Sequence, residues 1–345
     1  MSSSKAEPRA ATHWRAFAVL TLSIVASLLA VQCTNQPATA TNARPAPQLC
    51  DSGPTHASDQ FALVHGFITY TYGSEIWAVD PKHPANRTSL GVDGGPFRPE
   101  PLAWSRDGDR LLLLMEWREA GAAGITWDLC AMNADGSQTR LTGDGLTREG
   151  SFSPDGTKVV FSRVADDGLY VVDAKGGTPH LITKATANVG SVAWSPDGSR
   201  IAYIVYWDPP MTFGIWTVNP DGTDPRQLVV DPRDCGGGAC SAGGGLAWSP
   251  DGSMLAFHSR PGSGGSVPSG IYVVHADGSG LHRITGDGVQ PSWSPDGKRI
   301  AFTRYDGFAN GFDLFTVASD GSDEIVVDGV AIVPPYVAWN PVIGR

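Results

Sequence analysis

Cysteine and histidine are the residue types best able to do chemistry in this chain of 345 residues, and their spacing is uneven. Cys235 and Cys240 enclose Gly-Gly-Gly-Ala, a segment pliant enough for a local disulfide. No His or second Cys pair stands beside them, and their spacing is not one that zinc uses, so a bridge is expected rather than a metal centre. Cys50 and Cys130 form a second candidate bridge. The alternative for Cys130 is a buried apolar residue, because it stands where Trp216 and Tyr272 stand in equivalent strands. The histidines are scattered, and His258, at the end of an apolar run, is the best functional candidate among them. No Gly-x-Ser-x-Gly elbow, phosphate loop, His-Glu-x-x-His motif or twelve-residue calcium loop occurs. The expectation is a protein without catalytic residues, metal or cofactor.

Composition narrows the classes further. With 25 Lys+Arg against 35 Asp+Glu, the net charge of −10 argues against nonspecific nucleic-acid binding. Charged residues make up 17%, while 42 Gly, 26 Pro and 11 Trp point to all-β structure with tight turns. Lys5, Arg9 and Arg15 precede Ala16–Val31, a run without charge that suits a secretory segment and is short for a membrane span. Ala38-Thr39-Ala40 fits a cleavage site. Cys33 is a poor match to lipid attachment, since Gln32 replaces the small residue expected there. Cleavage, lipidation and a retained anchor all place the rest of the chain outside the cytoplasm, where disulfides persist. We read residues 1–40 as a targeting segment, 41–61 as a disordered tether and 62–345 as one folded domain.

That domain is a repeat. Ala-Trp-Ser-Pro-Asp-Gly occurs at 193–198 and 247–252, and Ser-Trp-Ser-Pro-Asp-Gly at 292–297. Variants occur at 103–108 and 151–156, with a last partial copy at Ala338–Pro341. The aromatic anchors Trp104, Phe152, Trp194, Trp248, Trp293 and Trp339 are separated by 48, 42, 54, 45 and 46 residues, the period of propeller blades. Each unit parses into four strands, with Ser-Pro-Asp-Gly turning the first into the second and a further Asp-Gly turning the third into the fourth. Residues 67–90 supply three strands without an inner one, and Tyr336–Trp339 supplies an inner strand alone. The expected fold is all-β: a six-bladed β-propeller of four-stranded antiparallel blades, closed by pairing of the N- and C-terminal strands.

The recurrent Trp-Ser-Pro-Asp-Gly, Ile-Ala-Phe, Ile-Tyr-Val-Val and Asp-Gly segments resemble the TolB-like, WD-repeat-like β-propeller family over residues 62–341. The resemblance implies the fold and leaves activity open. The stretch before the blades is too short for the α/β domain that precedes the propeller of full-length TolB. The chain also runs out after its closing strand, so no hydrolase domain of the prolyl-oligopeptidase type is expected.

Strand parity locates the expected binding face. Short Asp-Gly turns share one rim, and the long, unequal loops share the other. The variable rim carries Trp117, Tyr206, Trp207, Met211, Phe213, Tyr305 and Phe308, with His258 near it. Aromatics on variable loops fit recognition of an envelope protein, peptide or glycan; the alternative is that several fold back onto the blades. The resulting reading is an exported, noncatalytic, monomeric binding module, periplasmic, cell-surface or extracellular. It would touch a membrane only through an uncleaved or lipidated N-terminus. The alternative is a carbohydrate lyase or hydrolase with its site at the central channel. A cluster of His with acids or Arg at a channel mouth would favour the enzyme, and a lining of Ser, Thr and Ala would disfavour it.

Overall fold

Alternating β-branched and aromatic runs, punctuated by Asp-Gly, build short strands, with one helical turn beside them among the described residues. A computed structural model describes residues 60–342, apart from 94–97, 119–124, 164–165, 186, 208–211, 230–239, 262–267, 306–310 and 333–334. After helix α1 (Gln60–Leu63), the first blade takes β1 (Ile68–Tyr72), β2 (Glu75–Val79) and β3 (Arg87–Asp93). The second comprises β4 (Arg98–Trp104), β5 (Arg110–Arg118), β6 (Ile125–Asn133) and β7 (Gln138–Arg140). The third comprises β8 (Thr147–Phe152), β9 (Lys158–Arg163), β10 (Gly168–Asp173) and β11 (His180–Lys184). The fourth comprises β12 (Asn188–Trp194), β13 (Ile201–Trp207), β14 (Thr212–Val218) and β15 (Arg226–Val229). The fifth comprises β16 (Cys240–Trp248), β17 (Met254–Pro261), β18 (Gly270–His275) and β19 (His282–Gly286). The sixth comprises β20 (Gly288–Trp293), β21 (Arg299–Tyr305), β22 (Phe312–Ala318) and β23 (Ile325–Ile332). Finally β24 (Val337–Trp339) pairs antiparallel with β1, Ile68 opposite Trp339, and completes the first blade. Six four-stranded antiparallel sheets result, as the repeats predict.

The turns explain why the units repeat. In the third blade, Ser153 Oγ donates to Asp155 Oδ1 at 2.6 Å, the Thr157 amide donates to the same oxygen at 3.0 Å, and the Lys158 amide donates to Ser153 Oγ at 2.9 Å. The bonds from Ser153 and Thr157 hold the Asp155 carboxyl down to about 2. Gly156 then takes a φ of 68°, which a side chain would oppose. The same lattice recurs at Ser105, Ser195, Ser249 and Ser294.

The core lies between blades. Leu112, Leu114 and Leu129 of the second blade pack on Phe152, Val159 and Phe161 of the third, and five similar clusters fill the other interfaces. Two anchor indoles tie their inner strand to the one before: Trp248 Nε1 donates to the Ala193 carbonyl at 3.2 Å, and Trp293 Nε1 to the Ala247 carbonyl at 3.0 Å. Phe61 falls within the stretch expected to be tether, yet it is 2% exposed and meets the Trp104 ring edge-on at 4.9 Å. Aromatic burial thus starts the packed body at Phe61.

Candidate functional site

The inner strands of all six blades surround a central cavity of about 390 Å³. Its lining follows the repeat register. One residue before each anchor stand Ala103, Ser151, Ala193, Ala247, Ser292 and Ala338, all small and all lining the cavity. Their size leaves the bore open. Two residues after each anchor come Pro154, Pro196, Pro250, Pro295 and Pro341, with Arg106 in the sixth place. The Arg106 guanidinium donates to the Pro196 carbonyl, two blades away, at 2.7 Å. It therefore reaches from the second blade past the third on the Asp-Gly rim.

Three residues before each anchor the pattern breaks. The residues there are Pro101, Glu149, Ser191, Gly245, Gln290 and Tyr336, no two alike. Glu149, Gly245, Gln290 and Tyr336 line the cavity directly. This level lies toward the variable-loop end. β-Bulges re-aim it, because the pairing with the second strand shifts register between Thr147 and Gly150, Val189 and Val192, Gly244 and Ala247, and Val289 and Ser292. Gln290 sits at a φ of 54° and Gly245 at 61°. A β-carbon at Gly245 would lie 2.9 Å from the Gln290 Cα, so glycine permits this close approach.

Hydrogen bonds connect neighbours around this level. Ser191 bonds the Glu149 carboxyl, and Ser191 Oγ accepts from the Gly245 amide at 2.8 Å. The Gln290 amide donates to His258 Nδ1 at 3.3 Å. Burial pushes the Glu149 carboxyl up to about 7, against the opposing pull of Ser191 and Arg148. Glu100, one residue deeper in β4 and 4% exposed, is held well above the usual carboxylate range by burial and by the charges of Glu116 and Glu149. The phenols of Tyr206 and Tyr336 are raised by burial first and by Glu149 next.

The model of the TolB beta propeller domain matches residues 168–323. The six-bladed ring has the fold of a TolB-like β-propeller. It is 31% identical over 215 residues to an uncharacterized protein of Agrobacterium fabrum, covering 59% of this chain and 64% of that one. It is 34% identical over 168 residues to the Tol-Pal system protein TolB of Bordetella pertussis, covering 48% of this chain and 35% of that one. The solved TolB of Acinetobacter baumannii matches with a TM-score of 0.63 over 80% of this chain and 66% of that one. At 17% identity that likeness is one of fold. The chain spans less than two thirds of the length of these curated relatives.

Among the described residues, those expected to bind stand in different surroundings. Tyr206 is half-buried, with its ring against Gly190 on the side of the channel cluster. Phe213 is corrected to a core position: it is 3% exposed and stands edge-on to Phe257 at 6.2 Å, because it opens strand β14 instead of lying in the preceding loop. Trp207 is half-buried and packs on the interface between the third and fourth blades. Tyr305 remains 39% exposed beside Phe312. His258 is half-buried behind Gln290, its ring against Gly244. Cys130 is wholly buried in β6. Met211, Phe308, Cys33, Cys50 and Cys235 lie outside the described residues, as do the side chains of Trp117 and Cys240. Glu100, Glu149, Gln290 and Tyr336 escaped the sequence reading. For Glu149, Gln290 and Tyr336 the signal was present as a column near the anchors that does not repeat.

Proposed function

We propose that this TolB-like propeller is an exported, noncatalytic module that binds a protein, peptide or glycan of the bacterial envelope at the variable-loop end of its channel. The observation that carries this reading is the unrepeated level of Glu149, Gly245, Gln290 and Tyr336, set in a cavity that repeats Ala or Ser just before its anchors and Pro, with one Arg, just after them. Variation toward one end of a rigid scaffold is how binding sites are built on repeat folds. The small Ala and Ser lining next to the anchors gives room without reactive groups. Among the described residues, no three of His, Cys, Asp and Glu are grouped to hold a metal ion. Export is supported by the sequence of residues 1–40 and by similarity to a protein named for the Tol-Pal system.

The test is a pull-down from envelope extract with the intact propeller as bait, beside a Tyr336→Ala and Gln290→Ala double variant. We expect one partner held by the wild type and weakened at least tenfold by the variant. Release of new reducing or unsaturated sugar ends from a polysaccharide by the same preparation would replace this reading with the enzymatic one. An oxidising compartment also calls for the bridges Cys50–Cys130 and Cys235–Cys240. Peptide mapping without reductant should recover both, and Cys130 linked to any other cysteine would refute that pairing.

A further inference from the structure

We infer that Asp167–Gly168 is a site of spontaneous covalent modification, where the chain closes to a succinimide and reopens to isoaspartate, while the turns that carry the same dipeptide are protected by their hydrogen bonds. This goes beyond the channel and does not depend on what the channel binds.

Glycine after aspartate leaves its amide nitrogen open to the aspartate side chain. The Gly168 nitrogen attacks the Asp167 side-chain carbonyl carbon, and the amide proton and the carboxyl OH leave as one water. Water then reopens the ring at either carbonyl. One product is the original aspartate. In the other the backbone runs through the β-carbon, and the α-carboxyl becomes the side group. Mass is unchanged, one oxygen comes from solvent, and no reagent besides water is needed. Two conditions speed the closure. The carboxyl must be at liberty to turn toward the next amide, and it must be protonated, since an ionised carboxyl has no good leaving group.

Nine Asp-Gly turns, Asp155–Gly156 among them, oppose both conditions. In each the carboxyl accepts from a serine or threonine hydroxyl and from the amide two residues on. In each the glycine amide, the would-be nucleophile, donates to the carbonyl three residues back. In seven the hydroxyl bond chiefly holds the carboxyl below the usual aspartate range. At Asp107 and Asp296 burial pulls the other way, and the same bonds outweigh it. Three further pairs are restrained by other means. Asp144 accepts from the Leu146 amide at 3.1 Å and pairs with Arg163, Asp287 is bonded by Ser269, and Asp328 accepts from the Tyr70 hydroxyl at 3.2 Å.

Asp167 stands apart. Among the described residues no hydrogen bond or ion pair reaches its carboxyl. Partial burial raises that carboxyl, the charge of Asp166 raises it next, and Lys184 pulls against them, so its protonated fraction is enlarged. It lies between β9 and β10 at a φ of 55°, where a residue with a β-carbon is strained. Gly168 has no bulkier substitute, because a β-carbon there would lie 2.6 Å from the Tyr170 ring. The Asp167 carbonyl accepts from the Ala185 amide at 2.9 Å. In isoaspartate that oxygen belongs to a carboxylate on a longer backbone, so the modification loosens β10 from β11 at the variable-loop rim.

The intact chain is incubated at 37 °C in water enriched in oxygen-18, with a parallel sample unfolded in guanidinium chloride. Both are digested, and each Asp-Gly peptide is analysed by mass spectrometry with fragmentation that separates isoaspartate from aspartate. Each site is scored by its folded rate over its unfolded rate. That ratio should be at least tenfold larger at Asp167 than at any of the nine protected turns, and the isoaspartate should carry solvent oxygen. Ser153→Ala frees the Asp155 carboxyl and should raise the ratio there at least threefold; if this variant does not fold, the wild-type ratios decide alone. The proposal is overturned if Asp167 scores no higher than the protected turns, or if the folded chain forms no isoaspartate there while the unfolded chain does. Isoaspartate without solvent oxygen overturns the succinimide route, and an unchanged ratio at Asp155 in folded Ser153→Ala overturns protection by the turn bonds.

Discussion

At the scale of the residue, the informative side chains are those that the fold makes uncomfortable. Glu149 is half-buried between Ser191, Arg148 and two phenols, and burial raises its carboxyl from 4.5 to about 7. A raised carboxyl favours the folded state below its unfolded value and loses that advantage as pH climbs through its folded value. The destabilising window therefore runs from about pH 4.5 up to and past 7. Glu149→Gln removes the titration. It should melt with the wild type at pH 5 and above it at pH 8, by roughly 2–4 °C, the shift that about 1 kcal/mol produces in a domain of this size. A melting difference that is the same at both pH values would mean that Glu149 does not titrate in this window. The turn aspartates behave oppositely. Asp155, bonded by Ser153 and Thr157, is held near 2, so its contribution survives until strongly acid conditions.

At the scale of the element, strand and turn chemistry was readable and the channel was not. Ser-Pro-Asp-Gly announces its own geometry, because serine, aspartate and glycine bond one another within five residues. Strand order and the closing pair follow from counting such turns. The inner-strand bulges are set by contact between blades and leave no local sign. Gly245 is the nearest to one, since its missing side chain admits Gln290 from the next repeat. Glu100 and Glu149 sit on strands of different blades, 49 positions apart, and nothing in either strand reveals that the charge of one acts on the other. The aromatics of the variable rim separate for the same reason. Tyr206 and Phe213 flank one loop, yet Tyr206 turns to the channel cluster while Phe213 enters the core.

At the scale of the molecule, the ring depends on its last strand. Trp339 is 8% exposed, its indole donates to the Gly66 carbonyl at 2.7 Å, and its amide donates to Ser292 Oγ at 2.9 Å. It thus joins the sixth blade to the first. Trp339→Ala should cost about 3–5 kcal/mol, as large buried aromatics do. Denaturant unfolding of this variant beside Trp293→Ala checks the point. A loss under about 1 kcal/mol for Trp339 alone would show that closure adds little.

That closing pair also orders events in time. Thr69 Oγ1 donates to the Ala338 carbonyl across 269 positions of chain. A ribosome therefore releases the partner of Thr69 only after 269 further positions. Blades two to six can condense as they emerge, but the first stays a three-stranded fragment with a bare edge until β24 follows them. The interval before the ring shuts is when this polypeptide most needs a chaperone at its side.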